Sequence, residues 1–441
     1  MAEMLEQVST FDQDIEFIIG HAGTGKSTKL VKMYNDKTLV LTPTHKAISV
    51  LKKKGINTAF TIHSVLNLVP TIDENYKPHK GQRMQKLKRI GNVDLADIKQ
   101  VFIDEFSMIN QRIFDTLLEL LPEDAKVVVF GDPYQLPPVS GEIIDPLIYT
   151  DKITKLTTQY RADAPEVVET FERFVSWLEK RDNSISLVMH KDIVTAPFKV
   201  ALKEFGYDPK QDIILAYTNE AVISMNSVVS KYLGLSSSIE KGDEIVINGI
   251  DAVFDGYLDF EDPNADWLFP SCISKGAVKP ELAVKALTDI RKYNVDLSGY
   301  GIARVITGAK KYQVYYATDH YAKSKELEKE VEEAQKQVYL NNTIPDDVAL
   351  AKWCKENYNA PYVKERGKAW SNFLKHQGYV FDMRHPYVRT VHKAQGSEFR
   401  TVYINQKDLK IAIRPGYYEQ YARLMYVALS RAIDKVVIVE V

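Results

Sequence analysis

Short uninterrupted apolar runs alternate with stretches of helical periodicity over most of the chain. Glu16-Phe-Ile-Ile19 reads as a buried strand, and a helix follows from Ser27 (Ser-Thr-Lys-Leu-Val-Lys-Met). Lys37-Thr-Leu-Val-Leu41 is a second strand, and the helix from Lys46 to Lys54 ends at Gly55 as its C-cap. Thr61-Ile-His-Ser64 opens another short helix. Val101-Phe-Ile-Asp-Glu105 is an apolar strand ending in two carboxylates. Ile109, Ile113, Phe114, Leu117, Leu118 and Leu121 then recur at helical spacing, and Lys126-Val-Val-Val-Phe130 runs into Gly131-Asp-Pro-Tyr-Gln135. Buried strands separated by helices predict an α/β fold, a parallel sheet with helices on both faces. Ligands in such sheets sit at the carboxyl ends of the strands, where every polar motif above falls.

A second sheet starts at Asp212-Ile-Ile-Leu-Ala-Tyr217, followed by Thr218, Asn219 and a helix through Asn226. It resumes at Thr401-Val-Tyr-Ile and ends in Lys435-Val-Val-Ile-Val-Glu440. Two stretches break this rhythm. Residues 66–100 carry a poor strand-helix pattern and hold Lys77, Lys80, Arg83, Lys86, Lys88 and Arg89 with no acid between them, an insertion with a basic face. Residues 240–385 begin with a turn at Lys241-Gly that feeds a short strand, as in small barrels. Nine acids and one lysine within 240–266 predict that this part avoids phosphates. Glu326 to Val338 reads as a charged, solvated helix with i,i+4 pairs. No internal repeat is visible.

Composition narrows the class. A length of 441 residues allows two to four domains, and 45% apolar with 26% charged residues is an ordinary globular profile. A net charge of −2 means that any nucleic-acid contact rests on local basic patches. Cys272 and Cys354 are too few for a disulfide framework and are not spaced as a metal site, which fits a reducing cytoplasm. No run of 18 apolar residues exists, and Met1 to Asp14 is acidic and polar, so neither a membrane span nor a signal peptide is expected.

The chemistry centres on Gly20 to Thr28, Gly-His-Ala-Gly-Thr-Gly-Lys-Ser-Thr, which matches the P-loop pattern between a strand and a helix. Gly20, Gly23 and Gly25 let the backbone approach phosphate, and its N–H groups gather at a helix N-terminus. Lys26 would reach the β- and γ-phosphates of ATP, and the Ser27 hydroxyl would ligate Mg²⁺. Asp104 suits the Mg²⁺ shell, and Glu105 suits activation of water. Gln135, after the next strand, can report the γ-phosphate. Arg161, after Leu156-Thr-Thr-Gln-Tyr160, and Arg431, in Tyr426-Val-Ala-Leu-Ser-Arg431, could each stabilise charge on the transferred phosphoryl group. In Thr390-Val-His-Lys-Ala-Gln-Gly-Ser-Glu398, the set Thr390, His392 and Lys393 suits a loop contacting phosphate and base.

In this order these segments resemble the motifs of superfamily 1 helicases. Gly20–Thr28 is similar to motif I, Leu41-Thr-Pro-Thr-His-Lys-Ala47 to Ia, and Thr61-Ile-His-Ser64 to Ib. Phe102-Ile-Asp-Glu105 is similar to motif II and Gly131-Asp-Pro-Tyr-Gln-Leu-Pro-Pro138 to III. The Arg161, Thr390 and Tyr426–Arg431 segments are similar to IV, V and VI. Their dress resembles the RecD-like branch.

The resemblance implies two RecA-like parallel-sheet domains, 1–65 with 101–180 and 181–240 with 386–441, with ATP and Mg²⁺ between them. It implies a wedge insertion at 66–100 and a second insertion containing an SH3-like β-barrel at 241–385. Single-stranded DNA would lie against Pro43, His45, His63, Thr390 and His392, with 5′→3′ travel. Nucleotide contacts would come from Gly20, Gly23, Thr24, Gly25, Lys26, Ser27 and Thr28, with Gly396 and Glu398 from the second domain. Forked duplex DNA and a single-strand-binding or replication protein are the implied partners of a monomer.

Relatives read adenine with a glutamine upstream of motif I. Here 19 residues precede Gly20, and Gln7 and Gln13 are the candidates, neither in a copy of that pattern. Weak base selectivity is therefore expected. Two other readings stay open. A P-loop kinase explains Gly20–Thr28 but not Arg431 or the Thr390 segment. An ATP-gated DNA-binding module that does not unwind shares every hydrolysis motif.

Overall fold

The computed structural model describes residues 13–66, 69–72, 78–81, 89–90, 93–94, 98–138, 141–157, 165–182, 184–235, 238–247, 250–261, 265–269, 297, 300–307, 310–317, 319–340, 357, 360–414 and 418–441. Their contacts divide the chain into two units. One comprises 1–66, 86–237 and 386–441; the other comprises 67–85 and 238–385.

The first unit opens with β1 (Asp14–Gly20), the P-loop turn and α1 (Lys26–Met33). Next come β2 (Thr38–Thr42), α2 (His45–Lys53), β3 (Ala59–Thr61) and α3 (Ile62–Leu66). All five residues of β2 are buried, as a strand covered on both faces requires. Gly55 follows α2 with φ 89°, the left-handed C-cap conformation expected of it. Within the stretch read as an insertion lie two antiparallel ladders, β4 (Val69–Ile72) with β5 (Pro78–Gly81) and β6 (Arg89–Ile90) with β7 (Val93–Asp94). The basic side chains expected there lie outside the described residues. The sheet resumes with β8 (Gln100–Ile103), α3's neighbour α4 (Gln111–Leu120), β9 (Lys126–Gly131) and β10 (Ile153–Leu156). Asn110 caps α4, its Oδ1 accepting from the Ile113 amide at 2.8 Å. The six strands run parallel in the order β10-β1-β9-β8-β2-β3.

The same unit holds a second sheet. It begins after α5 (Pro165–Lys180), with β11 (Val194–Pro197), α6 (Phe198–Glu204), β12 (Ile213–Ala216) and α7 (Asn219–Tyr232).

The other unit carries β13 (Glu244–Ile247), β14 (Ile250–Leu258), β15 (Asp266–Trp267), β16 (Gly301–Thr307) and β17 (Lys310–Tyr316). Two long helices follow, α8 (His320–Leu340) and α9 (Pro361–Tyr379), then β18 (Val380–Phe381) and β19 (Met383–Arg384). The strands make one mixed, mainly antiparallel seven-stranded sheet over a core of Ile245, Phe254, Val305, Val314 and Phe381. A bulge at Phe254/Gly256 breaks the β14–β16 register, and there Asp255 meets Lys241, Arg304 and Lys311. The acidity read in 240–266 is thus partly neutralised by cations from β16, β17 and the preceding turn. Helix α8 is not solvated all round: Leu327 and Val331 are buried against Ala369 and Phe373 of α9. Its charged face carries Lys323–Glu326, Lys325–Glu328 and Lys329–Glu333 pairs.

The first unit is completed by β20 (Val388–Thr390), α10 (Val391–Ala394), β21 (Phe399–Ile404), α11 (Gln406–Leu409), α12 (Glu419–Leu429) and β22 (Ala432–Glu440). The second sheet is again all parallel, in the order β11-β22-β21-β12-β20. Helix α12 is apolar nearly all round and packs with α5: Phe171, Phe174, Trp177, Tyr421, Met425 and Tyr426 share one buried cluster. Ala22 of the P-loop and Leu136 are buried in that same cluster.

Candidate nucleotide site

Four loops from the first sheet's carboxyl ends build the site. Gly23 and Gly25 take φ 85° and 83°, which only glycine adopts without strain. A Cβ on Gly20 would meet Thr24 Oγ1 at 2.6 Å and the Leu156 carbonyl at 2.8 Å, so glycine there lets β10 lie beside the loop. Thr24 Oγ1 donates to the His21 carbonyl at 2.8 Å. The Lys26 ammonium lies inside the loop, donating to the carbonyls of Gly20 at 2.6 Å and His21 at 2.8 Å. Ser27 and Thr28 open α1 just beyond it.

Asp104 is buried at the end of β8, its Oδ1 accepting from the Glu105 amide at 3.0 Å. Burial, then the adjacent Glu105 carboxylate, raise its pKa to about 7, while the Lys26 charge opposes the shift. Glu105 has φ 56° and ψ 47°, a left-handed conformation costing a non-glycine residue on the order of 1 kcal/mol or more. Backbone strain at a strand end beside a P-loop marks a site rather than a scaffold. Phe106 follows, and a Cβ on Gly131 would come within 2.5 Å of its ring.

Among the described residues, five buried side-chain atoms at the carboxyl ends of the two sheets find no hydrogen-bond partner: Thr42 Oγ1, Glu105 Oε2, Ser107 Oγ, Gln395 Oε1 and Ser397 Oγ. Buried polar groups are ordinarily paired, so this concentration marks where polar ligands belong. The Ser27 hydroxyl and the buried Asp104 carboxylate are oxygen donors of the kind that would suit magnesium.

The second sheet reaches these loops through α12. Tyr426 is fully buried; its hydroxyl donates to Asp132 Oδ2 and accepts from the Ala22 amide at 3.2 Å. Its ring stacks on Phe171 at 4.8 Å. His21 stacks on Tyr134 at 5.3 Å and lies 3.6 Å from the Glu179 carboxylate. Arg423 donates from Nη1 to the carbonyls of Pro133 at 2.7 Å and Gln135 at 2.6 Å, and from Nε to Glu419 at 2.8 Å. Gln395 donates from Nε2 to Gln135 Oε1 at 3.3 Å.

Lys26 lies near enough to Asp104 for its charge to act on that carboxylate, and Gln135, after the neighbouring strand β9, has its side chain on Gln395. Arg431 is buried at the end of α12, donating to the Ser397 carbonyl at 3.3 Å and to Ser430 Oγ at 2.7 Å. Gly396 turns with φ 73°, and Glu398 is exposed. Arg161 lies outside the described residues, as does Gln7. Gln13 is engaged elsewhere: its amide donates to the carbonyls of Leu118 at 3.0 Å and Leu121 at 3.4 Å, capping the end of α4. That corrects its candidacy as an adenine reader.

Of the expected DNA-contacting residues, Pro43 is half-buried at the end of β2, and His45 and His63 open α2 and α3; their two side chains are outside those described. Thr390 caps α10, its hydroxyl accepting from the Lys393 amide at 3.3 Å. His392 sits 6.1 Å from the Tyr217 ring, and burial lowers its pKa.

Sequence reasoning quoted the segments holding Tyr426, Asp132, His21 and Gln395 without singling those residues out, and it passed over Arg423. One signal was present: Arg423 is the lone cation in the apolar run Tyr421–Leu429, and a charge there needs buried partners.

Two regions of the chain match known families. Residues 2–184 match the AAA domain family, and 385–439 match the UvrD-like helicase C-terminal domain. The ATP-dependent DNA helicase dda of Enterobacteria phage T4 is 30% identical over 240 residues, 48% of this chain and 51% of that protein. The ATP-dependent RecD2 DNA helicase of Deinococcus radiodurans is 31% identical over 170 residues, 36% of this chain and 22% of that one. Over these stretches the chain is similar to superfamily 1 helicases of the RecD-like type. It spans about half the length of the phage relative it matches. The crystal structure of Pif1 helicase from Candida albicans covers 98% of this chain and 92% of its own, at 15% identity and TM-score 0.44. Among the described residues of this RecD-like chain, no helix is long and apolar enough to cross a membrane.

Proposed function

We propose that this chain is an ATP-dependent DNA helicase that travels along single-stranded DNA, 5′→3′, and uses ATP hydrolysis to separate a duplex. The observation that carries the reading is the buried network joining the second sheet to the nucleotide loops of the first, through Tyr426 and Arg423 of α12 and Gln395 at the end of α10. A kinase has no use for a second sheet without a P-loop wired into its phosphate site; a motor that opens and closes two sheets does.

In this reading Lys26 holds the β- and γ-phosphates, and Ser27 with Asp104 hold magnesium, which supplies charge neutralisation across those phosphate oxygens. The backbone of Gly20, Gly23, Thr24, Gly25 and Thr28 cradles the phosphates. Glu105, its open oxygen held in the site by the strained turn, takes the proton of the attacking water. Gln135 senses the γ-phosphate. Arg431 and Arg161 stabilise charge on the transferred group, with Gly396 and Glu398 contacting nucleotide from the second sheet. DNA runs along the carboxyl edges of both sheets, past Pro43, His45, His63, Thr390 and His392. The natural substrate is a forked duplex, opened by a monomer in the cytoplasm alongside a single-strand-binding or replication protein.

ATP turnover measured with and without single-stranded DNA tests this reading. Stimulation by DNA supports it, and DNA-independent turnover with phosphate transfer to a small acceptor would replace it with the kinase.

A further inference from the structure

Gln395 stands between the candidate nucleotide site and the candidate DNA track. It is the C-cap of α10, two residues after Lys393 and three after His392, and is 7% exposed. Gly396 in the left-handed conformation and a bond from the Ser397 amide to the Ala394 carbonyl at 3.1 Å fix the turn that aims its side chain. Its Nε2 donates to Gln135 Oε1 across 260 residues of sequence, from one sheet to the other. Among the described residues its Oε1 finds no partner.

The two glutamines are held differently. The Gln135 backbone is clamped, its amide on the Asp132 carbonyl and its own carbonyl on Arg423. Only its side chain is free to answer a ligand. The Gln395 backbone is fixed to the end of α10 by the cap turn, so its reach toward Gln135 is set by where α10 sits. A half-satisfied buried amide pair has more than one arrangement of similar energy, since an open acceptor costs on the order of 1–3 kcal/mol that a reoriented donor would recover. When Gln135 turns its amide toward a γ-phosphate, Gln395 either follows or loses its bond. Following it displaces the helix that carries His392. Coupling is reciprocal, so DNA that fixes α10 must also favour one arrangement of Gln135.

We propose that Gln395 is a positioning residue that ties the orientation of Gln135 to the DNA-bearing helix α10, making hydrolysis responsive to DNA and DNA grip responsive to nucleotide. This rests on the helicase reading above.

The test compares wild type, Gln395→Ala, Gln395→Glu, Gln135→Ala and the double alanine variant of the full chain. Each is assayed for ATP turnover with and without oligo-dT, and for oligo-dT affinity with and without a non-hydrolysable ATP analogue. Gln395→Ala should lower the ratio of DNA-stimulated to basal turnover roughly tenfold, a usual size for coupling between sites, through kcat rather than the KM for ATP. It should also flatten the dependence of oligo-dT affinity on the analogue. The double variant should be no worse than Gln135→Ala alone. Gln395→Glu keeps an acceptor to which Gln135 can donate and should recover part of the ratio. Intact stimulation in Gln395→Ala, or strictly additive losses, would overturn the inference while leaving the helicase reading in place. A wild-type enzyme without DNA stimulation would overturn the reading itself. Thermal melts of each variant separate a folding defect, which lowers both turnovers together, from uncoupling.

Discussion

The two parallel sheets of the first unit follow one path. β1-β9-β8-β2-β3 in the first corresponds strand for strand, in chain order, to β11-β22-β21-β12-β20 in the second. What differs is what stands at the strand ends. Strand β1 ends in the glycine-rich P-loop, whereas β11 ends in Pro197 and runs into α6 with no glycine. Strand β8 ends in Asp104-Glu105, and β21 ends in Asn405-Gln406, the amide counterparts. The carboxylates leave an oxygen open, but the amides are committed: Asn405 Oδ1 caps α11 through the Asp408 amide, and Gln406 Nε2 donates to the Tyr421 hydroxyl at 2.9 Å.

The outer strands tell the opposite story. Thr44 after β2, Thr61 at the end of β3, Thr218 after β12 and Thr390 at the end of β20 each cap the following helix with the side-chain hydroxyl. Thr61-Ile-His63 and Thr390-Val-His392 even share their residue pattern. One architecture is therefore kept at the strand ends proposed to carry DNA and altered at the ends where only the first sheet has a P-loop. The useful contrast is between unpaired polar atoms and paired ones at equivalent positions.

The comparison can be broken at its strongest point first. Lys26→Ala should abolish ATP hydrolysis, while Lys199→Ala, just after β11, should stay within about twofold of wild type. Wild-type, DNA-stimulated turnover in a pure Lys26→Ala protein would remove the P-loop assignment. Next comes the carboxylate-amide pair. Glu105→Gln should keep Mg-ATP binding and lose about 10²-fold or more in kcat, the scale of a missing general base. Asp104→Asn should instead weaken metal-dependent nucleotide binding. Gln406→Ala should change kcat by less than about threefold and cost about 1 kcal/mol of stability for its lost bond to Tyr421. A near-normal kcat in Glu105→Gln would erase the distinction between the sheets.

Arg431→Ala and Arg161→Ala should each lower kcat by at least about tenfold, and by more than they raise the KM for ATP, because a finger acts on transition-state charge. A pure KM effect would make either arginine a ground-state contact. The smallest effect is on stability. Tyr426→Phe keeps the stack on Phe171 but leaves the buried Asp132 carboxylate without its hydroxyl donor. A loss of about 1–3 kcal/mol should appear as a lower urea midpoint with unchanged slope. No shift would mean that Asp132 is satisfied elsewhere.

Strand runs, the P-loop and the strand-end carboxylates were legible because each is local: periodicity, glycine spacing and one motif suffice. The repeat between the sheets was not, since apolar strands of similar composition carry no register and only topology shows that Asn405-Gln406 stands where Asp104-Glu105 does. The partners of Tyr426 and Arg423 were illegible for the same reason, lying about 290 residues away. Gln13 misled because a glutamine near a P-loop is chemically able to read a base, and only packing shows it capping α4. The charge runs on α8 hid an apolar stripe that its helical period carries against α9.

The central claim is that hydrolysis at one sheet drives movement of DNA across both. Strand displacement on duplexes bearing a single-stranded tail at only one end tests it most directly, with Lys26→Ala as the blank. Wild type with ATP should displace the strand from the 5′-tailed duplex, leave the 3′-tailed one intact, and do neither without hydrolysis. A wild-type protein that hydrolyses ATP in response to single-stranded DNA yet displaces no strand from either substrate would contradict the claim and leave an ATP-gated DNA-binding switch.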